Sequence, residues 1–169
     1  DMTGIQSVER SDFISLAELT DEVCCDLASI ADQKKVELIQ EEGDRTVTGS
    51  YLLLYRAVYN LVENAIKYNH SGGKVTVKIS QTKALSAAHS KPTDYALVEV
   101  TDTGIGISPE FQEKIFDPFF RVDKSRSRAM GGAGLGLALV NEIARQHGGQ
   151  VKVLASSEQG STIALVLPI

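Results

Sequence analysis

Two amides and one ammonium group share a face of a predicted helix in the segment NLVENAIKYN, residues 60–69. Asn60 and Asn64 are four residues apart and Lys67 follows one turn later, so the three side chains lie on the same side of an otherwise apolar helix. An amide carbonyl is a hard oxygen ligand suited to magnesium, and an ammonium group suits phosphate. By spacing alone, a polar stripe that faces solvent explains the pattern equally well.

A carboxylate followed by two glycines stands at the end of a predicted strand, in DTGIGI at residues 102–107. Asp102 can accept a hydrogen bond from an exocyclic amine, while Gly104 and Gly106 let the backbone approach a flat ligand closely. Because Asp and Gly are also common turn formers, a simple turn is the alternative.

Glycines lead into a later predicted helix in GGAGLGLALV, residues 131–140. Gly132, Gly134 and Gly136 run into the start of this helix, and the N–H groups of a helix N-terminus bind phosphate. The segment is not a P-loop, because no Gly-Lys-Ser or Gly-Lys-Thr follows, and it lacks the G-x-G-x-x-G pattern of dinucleotide sites. A flexible hinge is the alternative.

An aromatic and basic segment, FDPFFRVDKSRSR at residues 116–128, lies between the two glycine motifs. Its phenylalanines can anchor a mobile segment, and its basic side chains can reach anionic oxygens. They are Phe116, Phe119 and Phe120, and Arg121, Lys124, Arg126 and Arg128. A solvated basic loop is the alternative, but an irregular stretch of this length exceeds an ordinary connector.

The remaining pattern predicts the elements that position these groups. Helices are predicted from Ser15 to residue 34 or 35, from Ser50 to a stop at 71–73, briefly at 108–109, and over 134–147. Ser15 and Ser50 are the predicted N-caps of the first two, with Glu18 completing a capping box at Ser15. Strands are predicted at 36–40, 45–48, 74–82, 95–102, 150–155 and 161–167, with 95–102 central and the last two forming a hairpin. This order predicts an α+β fold, a two-layer sandwich of one mixed sheet with helices on one face.

The composition excludes several function classes. The 169 residues carry a net charge of −5 and no continuous basic stripe, which argues against nucleic acid as a partner. No apolar run approaches the roughly 18 residues of a membrane span, and residues 1–13 do not form a signal peptide, so we expect no membrane contact by this fragment. The adjacent Cys24 and Cys25 suit neither a disulfide nor zinc; we expect them reduced in a cytosolic setting, with Cys24 in the core.

The order of the four motifs resembles the N, G1, F and G2 boxes of sensor histidine kinases, members of the ATPase superfamily shared with DNA gyrase, MutL and the ATP-driven heat-shock chaperones. The resemblance covers about residues 16–168, including RVDKSRSRAMGGAGLGLALV and the closing GSTIALVLP. It implies a Bergerat-type ATP-binding fold. Residues 1–13 would be the linker from a dimerisation hairpin, and 14–169 the ATP-binding catalytic domain with an ATP lid at about 108–133.

By this resemblance the cofactors are ATP and Mg²⁺. Asn64 would hold the metal with Asn60 close by, Lys67 would contact phosphate and Tyr68 would pack near the nucleoside. Asp102 would bind the adenine amino group, assisted by Thr162 through water. The other implied nucleotide-binding residues are Gly104, Ile105, Gly106, Ile107 and Leu137 around the base, Gly132, Gly134, Leu135 and Gly136 around the phosphates, and Phe120, Lys124, Arg126 and Arg128 in the lid. Arg121 completes a catalytic set with Asn60, Asn64 and Lys67, although which basic lid residue reaches the γ-phosphate stays open.

The resemblance also implies partners that the chain does not contain. The phosphate acceptor would be a histidine on a separate dimerisation domain of the same protein, and a response regulator receiver domain would follow. We expect the cytoplasmic domain of a membrane-anchored sensor. None of the three histidines has the family's His-Glu or His-Asp setting, and His147 stands where a cation favours the helix dipole. Ala133 replaces the usual Thr, from which we expect a modest loss of affinity.

Two other functions remain open from the sequence. A stand-alone ATPase of the gyrase or chaperone type has a Glu as water-activating base one turn before the metal-binding Asn. That position is Asn60 here, and an amide cannot accept the proton, so we expect very slow hydrolysis. A non-catalytic nucleotide-binding docking module is the second alternative.

Overall fold

The computed structural model describes residues 12–84, 93–117 and 135–169. Its helices are α1 (Leu16–Lys34), α2 (Tyr51–Lys67) and α3 (Leu135–Gln146). Its strands are β1 (Asp12–Ser15), β2 (Glu37–Gln40), β3 (Thr46–Gly49), β4 (Lys74–Ala84), β5 (Thr93–Asp102), β6 (Gln150–Ser157) and β7 (Gly160–Pro168). Two short 3-10 turns, Pro109–Phe111 and Lys114–Phe116, follow β5. Within these ranges, no helix combines the length and apolarity needed to cross a membrane.

The strand β5 lies at the centre of a five-stranded sheet with the order β2-β4-β5-β7-β6. β2 runs parallel to β4 and the other neighbours are antiparallel, which confirms the predicted mixed sheet and the β6–β7 hairpin. Val98 and Val100 are buried with the helices in the main core, whereas Leu97 belongs to a small cluster on the opposite face with Ala164 and Val166. This alternation decides which side chains at the strand ends face the helices.

The capping residues predicted for the first two helices are confirmed. The Glu18 N–H donates to the Ser15 hydroxyl at 3.2 Å, and α1 ends at Lys35, whose φ of 63° is left-handed. The Leu53 N–H donates to the Ser50 hydroxyl at 3.3 Å at the start of α2. The apolar sides of α1 and α2 then pack against each other and the sheet, burying Leu19, Leu27, Leu54 and Val58 completely. Each such side chain contributes roughly 1.5–3 kcal/mol through burial.

A second, two-stranded sheet of β1 and β3 is not predicted by the sequence pattern. Asp12 and Phe13 fall in the segment interpreted as a linker, and Phe13 is 82% exposed, so no apolar alternation marks this strand. The strands predicted on either side of residues 41–44 form, but β2 pairs with β4 and β3 pairs with β1. The turn residue Asp44 binds the start of α1 instead, accepting from the Ser15 hydroxyl and the Ala17 N–H at 2.9 Å each.

The two adjacent cysteines are both free thiols. Cys24 is half-buried against the core, as predicted, and Cys25 is exposed. Burial raises the pKa of the Cys24 thiol to about 11, with smaller contributions from Asp21 and Cys25. At neutral pH this thiol is therefore protonated and unreactive.

Candidate nucleotide-binding site

Asp102 ends β5 on the sheet face that carries the helices, and both of its carboxylate oxygens are held. The Gly104 N–H donates to Oδ1 at 2.8 Å, and the Ser161 hydroxyl donates to Oδ2 at 3.1 Å. Burial raises the pKa of Asp102, and hydrogen bonds from Gly104 and Ser161 oppose that rise. Because a carboxylate has about four lone-pair positions, Asp102 keeps the capacity to accept a hydrogen bond from the amine of a ligand.

The hydroxyl that orients Asp102 belongs to Ser161, whereas the resemblance pointed to Thr162. Ser161 pairs with Asp102 in the β5–β7 ladder, and Thr162 pairs with Thr101. Strand alternation turns Thr162 to the opposite face of the sheet, where its hydroxyl lies 2.9 Å from that of Thr101. The structure therefore does not bring Thr162 to Asp102. Only the register of β5 against β7, which the sequence does not state, distinguishes the two residues.

Two glycines let the loop after β5 press against its neighbours. A Cβ on Gly104 would lie 2.5 Å from the carbonyl oxygen of Tyr68, and a Cβ on Gly106 would lie 2.0 Å from that of Ser157. Gly106 also has a φ of 76°, a left-handed conformation that side-chain-bearing residues rarely adopt. The loop is thereby fixed between the C-terminal end of α2 and the β6–β7 hairpin.

Three apolar residues predicted around the base differ in exposure. Ile105 is 47% exposed, whereas Leu137 in α3 is 6% exposed. Ile107 packs partly buried against the core, and its N–H donates to the Ser156 hydroxyl at 2.7 Å. Of the three, Ile105 therefore offers the largest free surface to a ligand.

Asn69, to which the sequence assigned no role, ties the end of α2 to the same loop. It is 5% exposed, its Nδ2 donates to the Lys74 carbonyl at 2.9 Å, and its Oδ1 accepts from the His70 N–H at 2.9 Å. The Thr103 hydroxyl donates to the same Oδ1 at 3.3 Å. One buried amide thus connects α2, β4 and the residue after Asp102. The signal in the sequence is an Asn just before the predicted helix stop at 71–73, where Asn commonly closes turns.

The polar residues predicted on one face of α2 lie there half-buried: Asn60, Asn64 and Lys67. Among the residues that the structure describes, nothing forms a hydrogen bond with the side-chain amide of Asn60 or Asn64. Tyr68 follows as the C-cap, and its N–H donates to the Asn64 carbonyl at 3.0 Å. Asn60 also lines a pocket between α2 and α3, together with Tyr55, Arg56, Tyr59 and Leu139.

The predicted lid at residues 108–133 lies only partly within the described residues. Its first part contains the two 3-10 turns, and Ile115 and Phe116 of the second turn are buried in the main core. Phe120, Arg121, Lys124, Arg126, Arg128, Gly132 and Gly134 lie outside the described residues, as does Ala133. Leu135 and Gly136 are the first two residues of α3.

Comparison with known proteins places the chain in a family. Residues 49–169 match the model of the histidine kinase-, DNA gyrase B-, and HSP90-like ATPase family, and the chain belongs to this family. The sensor-like histidine kinase SenX3 of Mycobacterium tuberculosis is 44% identical over 122 residues, which cover 72% of this chain and 27% of that protein. The sensor histidine kinase RppB of Synechocystis is 39% identical over 127 residues, covering 75% of this chain and 26% of that protein. The chain thus spans about a quarter of the length of these relatives.

Solved structures agree with the sequence relatives. The mycobacterial sensor histidine kinase MprB superposes with a TM-score of 0.72 at 30% identity, covering 93% of this chain and 96% of that one. Full-length ShkA in complex with AMPPNP superposes with a TM-score of 0.73 at 26% identity, covering 96% of this chain and 31% of that one. With its mixed sheet under three helices in the described residues, the chain is an ATP-binding kinase domain of the sensor histidine kinase type, with the Bergerat fold.

Proposed function

We propose that this chain binds ATP with magnesium and transfers the γ-phosphoryl group to a histidine on a separate dimerisation domain of the same protein. The observation that carries the proposal is the Asp102 carboxylate, held by Gly104 and Ser161 beside the end of the α2 helix. The family membership and the sensor kinase relatives support it. ShkA, whose structure contains AMPPNP, supports the choice of an adenine nucleotide.

Asp102 would recognise the adenine base. Its two oxygens already accept from Gly104 and Ser161, so the carboxylate is oriented before the ligand arrives. An exocyclic amine donates to such an acceptor, whereas a carbonyl oxygen at the same ring position would face it with like charge. The exposed Ile105 would cover the base, and Tyr68, Ile107 and Leu137 would complete the pocket.

Magnesium fits the donor set of α2. The side-chain carbonyl of Asn64 is a hard oxygen ligand, and Asn60 lies one turn earlier. Within the described ranges, no three His, Cys, Asp or Glu side chains form a metal-binding group. Mg²⁺ commonly binds through few protein ligands while phosphates and waters complete its octahedron, so Asn64 would suffice as the protein contribution.

The chemistry would be phosphoryl transfer by placement and electrostatics. The bond between the γ-phosphorus and the ADP oxygen breaks, a bond to the imidazole nitrogen forms, and ADP leaves with the electron pair. The imidazole proton passes to solvent. Lys67 and the lid residues Arg121, Lys124, Arg126 and Arg128 would neutralise the charge on the phosphate oxygens. The N-terminus of α3, with Gly132, Gly134, Leu135 and Gly136, would supply backbone N–H groups.

The partners of the whole protein follow from this role. The phosphohistidine would pass its phosphoryl group to the receiver domain of a response regulator, as in two-component signalling. We place this chain on the cytoplasmic side of a membrane-anchored sensor, where ATP is available.

The experiment mixes the chain with magnesium and ATP carrying a radioactive γ-phosphate, with and without the histidine-bearing hairpin. We expect acid-labile phosphate on the hairpin only when the chain and magnesium are both present, and loss of transfer in Asn64→Ala. The matched control is Asn141→Ala, an exposed amide on α3. Rapid hydrolysis without the hairpin, lost in Asn64→Ala, would establish a stand-alone ATPase instead. If the chain bound the hairpin but turned over no nucleotide, it would be a non-catalytic docking module.

A further inference from the structure

His147 follows α3 and is 2% exposed, although its position at a helix C-terminus predicts a cation. The Ser50 N–H donates to Nε2 at 3.1 Å, and Nδ1 lies 2.8 Å from the Ile143 carbonyl. A backbone N–H can only donate and a carbonyl can only accept, so Nε2 is unprotonated and Nδ1 carries the proton. His147 is therefore a neutral imidazole in one tautomer, because a second proton on Nε2 would face the Ser50 N–H donor.

Three elements meet at this imidazole. The ring lies against Gly49 at the end of β3, where a Cβ would come within 2.4 Å of the ring Cδ2. Ser50, whose N–H the ring binds, is the N-cap of α2. His147 thus joins the end of α3 to the end of β3 and the start of α2.

The contact between His147 and Ser50 fixes the position of α3 along the axis of α2. Leu139 lies eight residues before His147 and shares a pocket with Asn60, ten residues after Ser50, so the two helices run antiparallel. α3 begins twelve residues before His147, a rise of about 18 Å at 1.5 Å per residue. The same rise along α2 from Ser50 reaches residue 62. The start of α3 is thereby held level with the interval between Asn60 and Asn64.

We propose that His147 is a positioning residue for the phosphate half of the site. As the neutral Nδ1–H tautomer it holds α3 at the level where its N-terminus and the amides of Asn60 and Asn64 can engage the same phosphates. The inference rests on the proposed function, since it needs phosphates between these two helices. The part of the site that would bind the adenine base depends on Asp102 and not on His147. Removing the hydrogen bonds of the imidazole therefore weakens the binding of phosphate groups and leaves the binding of the base unchanged.

The test compares two ligands and two variants of the chain by calorimetric titration with magnesium. The ligands are a non-hydrolysable ATP analogue and adenosine, which lacks phosphates. His147→Phe keeps a planar ring without hydrogen bonds, and we expect about tenfold weaker binding of the analogue, or ~1.4 kcal/mol, with adenosine changed by less than about twofold. His147→Gln offers both an acceptor and a donor and restores part of the loss. Arg145→Ala, an exposed residue in the same turn paired with Glu142, leaves both affinities unchanged.

If His147→Phe weakened the binding of both ligands equally, or did not weaken the binding of the analogue, the inference about His147 would be overturned and the proposed function would stand. Absence of binding by the unmodified chain would instead overturn the proposed function and the inference with it. A second measurement does not depend on any variant: nitrogen NMR of the histidine-labelled chain. We expect a protonated Nδ1 and a bare Nε2 for His147, and a protonated Nε2 would contradict the assigned contacts.

Discussion

The two halves of the candidate site are built in different ways. The acceptor end consists of Asp102, Gly104, Ser161 and Asn69, whose hydrogen bonds connect three strands, the loop after β5 and the end of α2. The amide face consists of Asn60 and Asn64 on α2, whose side-chain amides bond to no residue that the structure describes. Within the part of the chain that the structure describes, hydrogen bonds order the acceptor end, whereas the packing of α2 positions the amide face.

This difference indicates a division of labour in binding. A preorganised acceptor binds its donor without reorganisation, so the acceptor end should determine which base is bound. Side-chain amides that form no hydrogen bond to the described residues can turn toward a metal ion and the phosphate oxygens during the reaction. Changes at the acceptor end should therefore affect every adenine ligand, while changes that move α2 against α3 should affect only phosphate-bearing ligands.

The largest effect is expected from Asp102→Asn. The amide replaces one acceptor oxygen by a donor, which opposes the amine of the base or the Gly104 N–H, whereas the Ser161 hydroxyl can rotate to accept from it. We expect a roughly hundredfold loss of affinity, ~2.7 kcal/mol, equal for an ATP analogue and adenosine in calorimetric titrations. Asp32→Asn, an exposed carboxyl in α1, is the control and should change nothing. Unchanged adenosine affinity in Asp102→Asn would remove the acceptor end from base recognition.

A stability effect tests the close packing of the acceptor loop. Gly106→Ala forces a left-handed φ and a contact with the Ser157 carbonyl, so we expect the free energy of unfolding to fall by about 2 kcal/mol. Gly72→Ala is the matched control, because Gly72 has a φ of 91° but no atom within 4 Å of the added Cβ, and it should lose about 1 kcal/mol. Urea unfolding measures both. Equal losses would show that contact with Ser157 does not hold the loop.

A smaller effect with a defined pH dependence is expected from Ser161→Ala. The Ser161 hydroxyl lowers the pKa of Asp102 against the rise caused by burial, so its removal raises that pKa further. The base amine needs the ionised carboxylate, so binding is lost as the pH falls through the Asp102 pKa, and the variant loses it at a higher pH. At neutral pH we expect a loss of roughly fivefold, ~1 kcal/mol. If affinity were lost at the same pH in Ser161→Ala as in the unmodified chain, the role of Ser161 would be contradicted.

The smallest effect distinguishes the two neighbouring hydroxyl residues. Thr162→Val should change nucleotide affinity by less than about twofold, because the Thr162 hydroxyl bonds Thr101 on the opposite face of the sheet. The same titrations as for Ser161→Ala provide the measurement. A loss in Thr162→Val that matches the loss in Ser161→Ala would restore the water-mediated contact to Asp102 that the family resemblance implied.

Local signals predicted most of the fold. Ser15 and Ser50 marked both helix starts through capping, a short-range interaction that depends on neighbouring residues. The apolar run through Val98 and Val100 marked the central strand, because a strand with neighbours on both sides and helices on one face buries its apolar residues. Strand β1 escaped prediction since its existence depends on β3, more than thirty residues away, rather than on its own pattern.

The site was predictable in its residue types and less so in its contacts. Asp102 and the α2 amides follow from motif and helical spacing. The choice of Ser161 over Thr162 depends on strand register, and a shift of one residue moves a side chain to the other face. His147 looked like a cation at a helix end because its hydrogen-bond donor, the Ser50 N–H, is 97 positions away in the chain. Long-range pairings of this kind leave no local signature.

The central claim is that the Asp102 carboxylate recognises the exocyclic amine of adenine. The most direct measurement compares non-hydrolysable analogues of ATP and of inosine triphosphate, in which a carbonyl oxygen replaces that amine. We expect the inosine compound to bind the unmodified chain roughly a hundredfold more weakly, and the gap to narrow in Asp102→Asn, whose amide can donate to the carbonyl. Equal binding of the two analogues by the unmodified chain would contradict the account.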